Sequence, residues 1–357
     1  MIYLLLVAGL FMGWSLGTVD AAGAFGTAVA TGVIKYRTAI IIIAILVIIG
    51  SIFGGANNIN KLAELSTSNE VIASEEAVLD AIEHGEVEAL RFKSALKAAL
   101  VFSCSALTVF IMSYLKLPVS STQAIIGAII GWGLFHADYS DPEILAINLP
   151  QIAKFASTWL LNPLGAGLVS FIIVWSFNKF IAPRMSTLRG YDTFVKLGYL
   201  GAGIVASFSI GLNSSASVTA LYYDTAFSKT GIAANLLTDA RIAATIGGVA
   251  ISIGVLTFSK RIMMTVGGSI ADITQIDGFL VIIAMSITVV LMGRFLGIPV
   301  STSQAIVGAV IGAGLTKGRG HVNFGVFRRI SIAWVTSPTA AALLTYVVAF
   351  ATQGIFN

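Results

Sequence analysis

Residues 117–133 read LPVSSTQAIIGAIIGWG, and residues 298–314 read IPVSTSQAIVGAVIGAG. Two strings so alike, matched position by position, make the chain a duplication. Each begins at a Pro and continues through three hydroxyl residues (Ser120, Ser121, Thr122 and Ser301, Thr302, Ser303) and a Gln (Gln123, Gln304). Glycines then fall at equivalent places, Gly127, Gly131 and Gly133 against Gly308, Gly312 and Gly314. Pro is tolerated at the first helical position, and Ser or Thr accepts hydrogen bonds from the N–H groups that a helix start leaves unpaired. Each copy is therefore read as a helix N-terminus opening an apolar run. Glycines four apart let two membrane helices approach closely. Paired polar helix starts inside apolar segments, one in each half, point to a binding site near the bilayer midplane.

The rest of the composition agrees with a membrane setting. Hydrophobic residues make up 57% of the 357-residue chain and charged residues 11%, with a mean hydropathy of +0.92; soluble proteins carry roughly 25% charged residues. The expected class is an all-α polytopic protein of a cell membrane, plasma or inner. A pI near 9.1 and a net charge of +4 would suit nucleic acid in a soluble protein. Here the cations lie between apolar runs and act as topology signals, so no nucleic-acid partner is expected. The single Cys104 sits in an apolar run, which argues against a disulfide framework or a thiol metal site. With three His and no Ser/His or His/Glu constellation, no enzyme is expected. The absence of a Walker motif argues against ATP coupling within this chain.

Along the chain, residues 1–16 are apolar without a basic n-region or a cleavage site and are read as a first span. A small-residue stretch, GTVDAAGAFGTAVATG, follows at 17–32 and carries one acid, Asp20. After the span at 39–53 comes a hydrophilic insertion at about 57–90, read as an amphipathic surface helix or hairpin. Residues 92–116 are long enough to cross the roughly 20-residue apolar core of a bilayer and lead into the first hydroxyl element. Each half then closes on a helix with Trp-x-x-x-Pro, Trp159 to Pro163 and Trp334 to Pro338, with Asn162 and Ser337 before the Pro. A mid-helix Pro frees a carbonyl, so these two residues are read either as supports of the site or as part of a packing kink. The halves are 1–183 and 197–357, joined by a connector at 184–196 whose cations place it on the cytoplasmic side. With about 10–12 membrane elements, some re-entrant or broken, and an odd number of crossings per half, the halves form an inverted repeat.

The chemistry of these elements suits a tetrahedral oxyanion. Helix N-termini offer unpaired N–H groups and a positive dipole end, and the six hydroxyls of the two motifs can surround an anion without Lys or Arg. One cap needs one hydroxyl, so three in each copy exceed a capping role. Asp20 is the acid of the apolar stretches near these elements, and an intramembrane carboxylate is a functional group by default. It can ligate sodium, carry a coupling proton or accept a hydrogen bond from a protonated anion; its alternative role is to cap a helix over 17–32. Gln123 and Gln304 are read as polar packing beside the anion. Asn57 and Asn58 are read as a loop. An ion-coupled secondary transporter is favoured over an anion channel, because the polar groups are clustered instead of forming a continuous lining with charged rings.

Two copies of Pro-[VI]-Ser-[ST]-[ST] with the same glycine spacing, each preceded by a small-residue stretch and followed by a Trp-x-x-x-Pro helix, resemble the PiT family of inorganic phosphate transporters over essentially the whole chain. The resemblance implies a phosphate symporter working by alternating access, in which the two hydroxyl elements and two Gly-Ala-Asn-Asp motifs line one anion and cation site. Those motifs are altered here. Gly17-Thr-Val-Asp20 keeps the acid, and Gly211-Leu-Asn213-Ser214 keeps an Asn and has Ser214 where the acid would be. Asn213 and Ser214 thereby join the expected anion ligands. Phosphate carries a proton that a carboxylate accepts and sulfate carries none, so loss of one acid keeps a sulfate permease, proton-coupled, as the alternative. No cofactor is implied beyond the coupling ion, sodium or proton, and a homodimer is compatible with the fold.

Overall fold

In lipid every backbone polar group must be satisfied within the protein, and helices do this segment by segment. The computed structural model describes residues 2–54, 75–136, 149–184, 188–219, 240–296 and 300–353. Its helices are α1 (Ile2–Ala30), α2 (Tyr36–Gly54), α3 (Glu75–His84), α4 (Val87–Tyr114), α5 (Ser121–His136) and α6 (Leu149–Ser176). The second half holds α7 (Leu188–Thr219), α8 (Ala240–Phe258), α9 (Lys260–Gly268), α10 (Gln275–Leu296), α11 (Thr302–Leu315) and α12 (Phe324–Ala351). Among the described residues, eight helices are long and apolar enough to cross a membrane.

Contacts fix the direction of each helix. At the end of α1, Thr31 meets Tyr199 near the start of α7, while Ser214 further along α7 meets Asp20 in the middle of α1. The two helices are antiparallel. α8 and α9 run with α1, since Gly17 lies against Ile251 and Gly26 against Met263 and Gly267. α2 runs against α8, with Tyr36 at Ser259 and Ala44 at Ser252. The end of α1 shares a face with the end of α6 and the starts of α7, α10 and α12, tied by Asn178 to Asp277 and by Asn323 to Ile270. This connector face is opposite the terminal face, where α1 begins and α12 ends. Corresponding helices of the two halves therefore run in opposite senses, and the fold is an inverted repeat.

Two hairpins stop inside this frame. α4 follows α1 from the terminal face, with Ser105 at Met12 and Ser113 at Thr18. At Lys116, the one described non-glycine residue with positive φ (63°), the chain turns, and α5 returns to the terminal face. α10 enters from the connector face and α11 returns there, ending beside Ala271 and Val322. The motif glycines lock each hairpin onto the other half. Gly127 and Gly131 of α5 sit on the backbone of Pro338 and Ala342 in α12, and Gly308 and Gly312 of α11 sit on Pro163 and Gly167 in α6, so close that a Cβ would overlap the partner's backbone. α1, α2, α7 and α8 form a central bundle, flanked by an arm of α4, α5 and α12 and an arm of α6, α10 and α11.

The structure refines four sequence readings. The first span and the small-residue stretch are one helix, because Ala21, Ala22, Ala24 and Ala28 combine the best helix propensity with full burial. Pro118 lies in the turn before the helix, whose first residue is Ser121; the residue that caps is Ser120. α4 is long enough to span but serves as one arm of a hairpin. Within the insertion, α3 buries Val78 and Ala81 and exposes Asp80 and Glu83, as an amphipathic surface helix should. Asn57 and Asn58 lie outside the described residues.

Candidate functional site

Both hydroxyl runs begin helices at the centre of the molecule. Ser120 Oγ accepts from Gln123 N at 3.2 Å, and Ser301 Oγ accepts from Gln304 N at 3.2 Å. One hydroxyl per copy is thus an N-cap, and the other two are free for other work. In the second copy that work is visible. Thr302 Oγ1 donates to Asp20 Oδ1 at 2.6 Å and Ser303 Oγ to the same oxygen at 3.4 Å, while Ser214 Oγ donates to Asp20 Oδ2 at 2.6 Å. Ser121 and Thr122, the counterparts in the first copy, are buried and have no side-chain hydrogen bond among the described residues.

Asp20 caps no helix, since it lies inside α1. It is buried, with 3% of its surface exposed, and sits at the N-terminal end of α11, where the helix dipole favours negative charge. Among the described residues no Lys or Arg contacts it. An anion placed beside α11's N-terminus would meet a positive helix end, but also one carboxylate. Repulsion between the two in a low-dielectric site is large, and a cation or proton bound between them removes it.

The remaining candidates frame the hydroxyls. Asn213 Nδ2 donates to Val300 O at 2.7 Å and its Oδ1 accepts from Val300 N at 3.2 Å, clamping the residue before the second hydroxyl run. Asn162 Nδ2 donates to Ser301 O at 2.6 Å. Ser337, its counterpart, is buried, its Oγ without a hydrogen-bond partner among the described residues. Among the described residues Gln123 and Gln304 make no hydrogen bond to Asp20; they line an apolar cavity of about 1020 Å³ between α5, α6, α11 and α12, together with Trp159, Trp334, Pro163 and Pro338. Both side-chain polar atoms of Gln304 and Oε1 of Gln123 are buried without hydrogen-bond partners among the described residues. The sequence reading missed two contacts. Trp334 Nε1 donates to Pro118 O at 3.0 Å, and Thr18 pairs with Ser113 at 2.9 Å. The Trp of the repeated Trp-x-x-x-Pro pattern was the available signal for the first; nothing in the linear sequence marks the second.

Fold and geometry together define a class: an inverted-repeat membrane carrier in which a buried acid of one half is held by a hairpin start and a helix of the other. Residues 16–200 and, again, 189–345 match the family described as "Phosphate transporter family", one match per half. The chain belongs to this family. It is 26% identical over 412 residues to a Thermococcus kodakarensis protein named as a phosphate permease, covering 96% of this chain and 95% of that one. It is 27% identical over 364 residues to a Bacillus subtilis protein named as a low-affinity inorganic phosphate transporter, covering 99% and 97%. A solved structure titled "The sodium-dependent phosphate transporter" superposes with a TM-score of 0.76 over 99% of both chains at 22% identity, a likeness of fold.

Proposed function

We propose that the chain is a symporter that moves inorganic phosphate across the cell membrane by alternating access. The observation that carries this reading is Asp20, buried between the halves and bonded to hydroxyls of α7 and α11. Protonated phosphate donates to such a carboxylate while the hydroxyls donate to its other oxygens; sulfate has no proton to offer. Ser121 and Thr122 are the anion donors, joined by Thr302 and Ser303 once a cation takes the oxygens of Asp20 and their single protons turn from it, with Ser120 and Ser301 holding their helices. Ser214 bridges to Asp20, and Asn213 and Asn162 hold the turn into α11. Asp20, with hydroxyl oxygens on both sides, supplies hard ligands for sodium, the ion named for the similar solved structure.

The repeats comprise 1–183 and 197–357 with the connector between them. Lys35, Arg37, Lys179, Arg184, Lys317 and Arg319 lie on the connector face, which supports a cytoplasmic side for it. α6 and α12 bury the smallest shares of their spans within the chain, 28% and 33%, and are the surfaces for a second copy in a homodimer. Radiolabelled uptake into proteoliposomes, with sodium and proton gradients varied separately, tests the transport reading. Sodium-driven phosphate uptake is expected. Uptake of sulfate that tenfold excess phosphate fails to inhibit would overturn it.

A further inference from the structure

On the connector face, beside the tip of the first hairpin, lies a pocket of about 750 Å³ that the transport site does not use. Its lining includes Lys116, Lys260 and Arg261, contains no acid, and adds the hydroxyls of Thr257, Thr265 and Ser269. The three cations come from two distant segments of sequence, the α4–α5 turn and the start of α9. None of them meets a carboxylate among the described residues. Instead Arg261 lies over the rings of Tyr114 and Phe258 and donates to Tyr114 O at 3.5 Å, and Lys260 lies 5.7 Å from the ring of Tyr36. Aromatic faces fix the direction of a cation without neutralising it. Lys116 is held in the left-handed backbone region that non-glycine residues seldom adopt, and such strain persists where the surroundings impose it. Leu115 and Met264 beside the pocket are exposed, so apolar surface borders the cations.

We propose that this pocket binds a phosphate group on the connector face, immediately before the hairpin tip that leads to Ser120. Uncompensated cations between membrane helices at an interface recognise phosphate. Two sources share that chemistry: the headgroup of an anionic phospholipid, and free inorganic phosphate passing between the central site and water. Only the second rests on the transport reading above.

The test compares wild type with Lys260→Gln/Arg261→Gln, and with Lys260→Arg/Arg261→Lys as the charge-conserving control. Lys116→Asn removes the third charge with a residue that tolerates positive φ, and gives the same readouts should the double variant fail to fold. Protein reconstituted in vesicles of zwitterionic lipid, or of zwitterionic lipid with anionic phospholipid, is assayed for anionic phospholipid retained after purification and for half-saturating phosphate in uptake. If the occupant is a lipid, Lys116→Asn retains about fivefold less anionic phospholipid and the double variant about 25-fold less, a factor of about five for each interfacial cation removed. If it is free phosphate, half-saturation in purely zwitterionic vesicles rises by about fivefold for Lys116→Asn and about 25-fold for the double variant, and the rise shrinks at high salt. The charge-conserving variant restores either effect. Folded neutral variants that match wild type in both readouts would overturn the proposal. Wild type that carries no phosphate while the neutral variants still lose lipid would overturn the transport reading and leave the pocket standing.

Discussion

Asp20 decides the behaviour of the centre because it is an acid of the first half whose hydrogen bonds come from the second. Its two oxygens receive Ser214 and Thr302 at 2.6 Å, and hydrogen bonds to a carboxylate contribute about 1.5–3 kcal/mol each. Asp20→Asn keeps the shape and loses the charge, so sodium-driven phosphate uptake should fall by about two orders of magnitude or more. Gln123→Ala and Gln304→Ala, at positions that line the apolar cavity and make no hydrogen bond to Asp20 among the described residues, should retain most uptake. Equal losses in all three variants, measured as initial rates in proteoliposomes, would show that Asp20 is one packing residue among several. Ser214 stands at the position equivalent to Asp20, 194 residues on. Ser214→Asp puts a second acid against the first, and a further cation is needed to hold both beside an anion. The sodium titration of phosphate uptake should then steepen, with a higher Hill coefficient than wild type; an unchanged titration would mean that position 214 has no part in cation binding.

At the scale of elements, the repeated glycines hold the hairpins in place. Gly308 meets the backbone of Pro163, and Gly127 that of Pro338; neither neighbour can yield like a flexible side chain. Overpacking of a well-filled interior costs about 1–3 kcal/mol. Gly308→Ala and Gly127→Ala should therefore lower the melting temperature of the purified protein. Gly201 in α7 has nothing within 4 Å of where a Cβ would go, so Gly201→Ala should be neutral or stabilising by up to about 1 kcal/mol. A Gly308→Ala protein as stable as wild type would break the close-packing argument. Much of this level was legible in the sequence. The hydroxyl runs announced helix starts, and the four-residue glycine spacing announced close contact. The partner was not legible, because spacing describes one surface and says nothing of which helix covers it. The same gap explains Asn213: its type suits an anion ligand, yet its amide is engaged with the backbone of Val300, 87 residues away.

For the whole molecule, the exchange of partners between halves sets the mechanical units. Each arm joins the hairpin of one half to the last helix of the other, and the apolar cavity lined by Gln123 and Gln304 is the seam between the arms. Duplication was readable from the two motifs; the inverted sense was an expectation that depended on an odd number of crossings per half, which hydropathy does not separate from re-entrant helices. The swap was not readable, since a repeat of sequence is equally consistent with halves that pack side by side. The three cations of the connector-face pocket were hidden for the same reason, as Tyr114 and Arg261 meet across 147 residues of chain. Alternating access in an inverted repeat proceeds by one body rocking against another around a fixed site. Within an arm, the backbone contact of Gly127 with Pro338 leaves no room for sliding, whereas a seam of about 1020 Å³ can open or close. Spin labels at Leu107 and Val347, both exposed and within one arm, should therefore keep one distance distribution when phosphate and sodium are added. Labels at Leu164 and Val335, exposed on opposite sides of the seam, should shift or split. Pulsed dipolar measurements on both pairs, made after replacing the buried Cys104 by Ala, decide the matter. Movement of the first pair with a fixed second pair would mean that the arms are not the moving bodies.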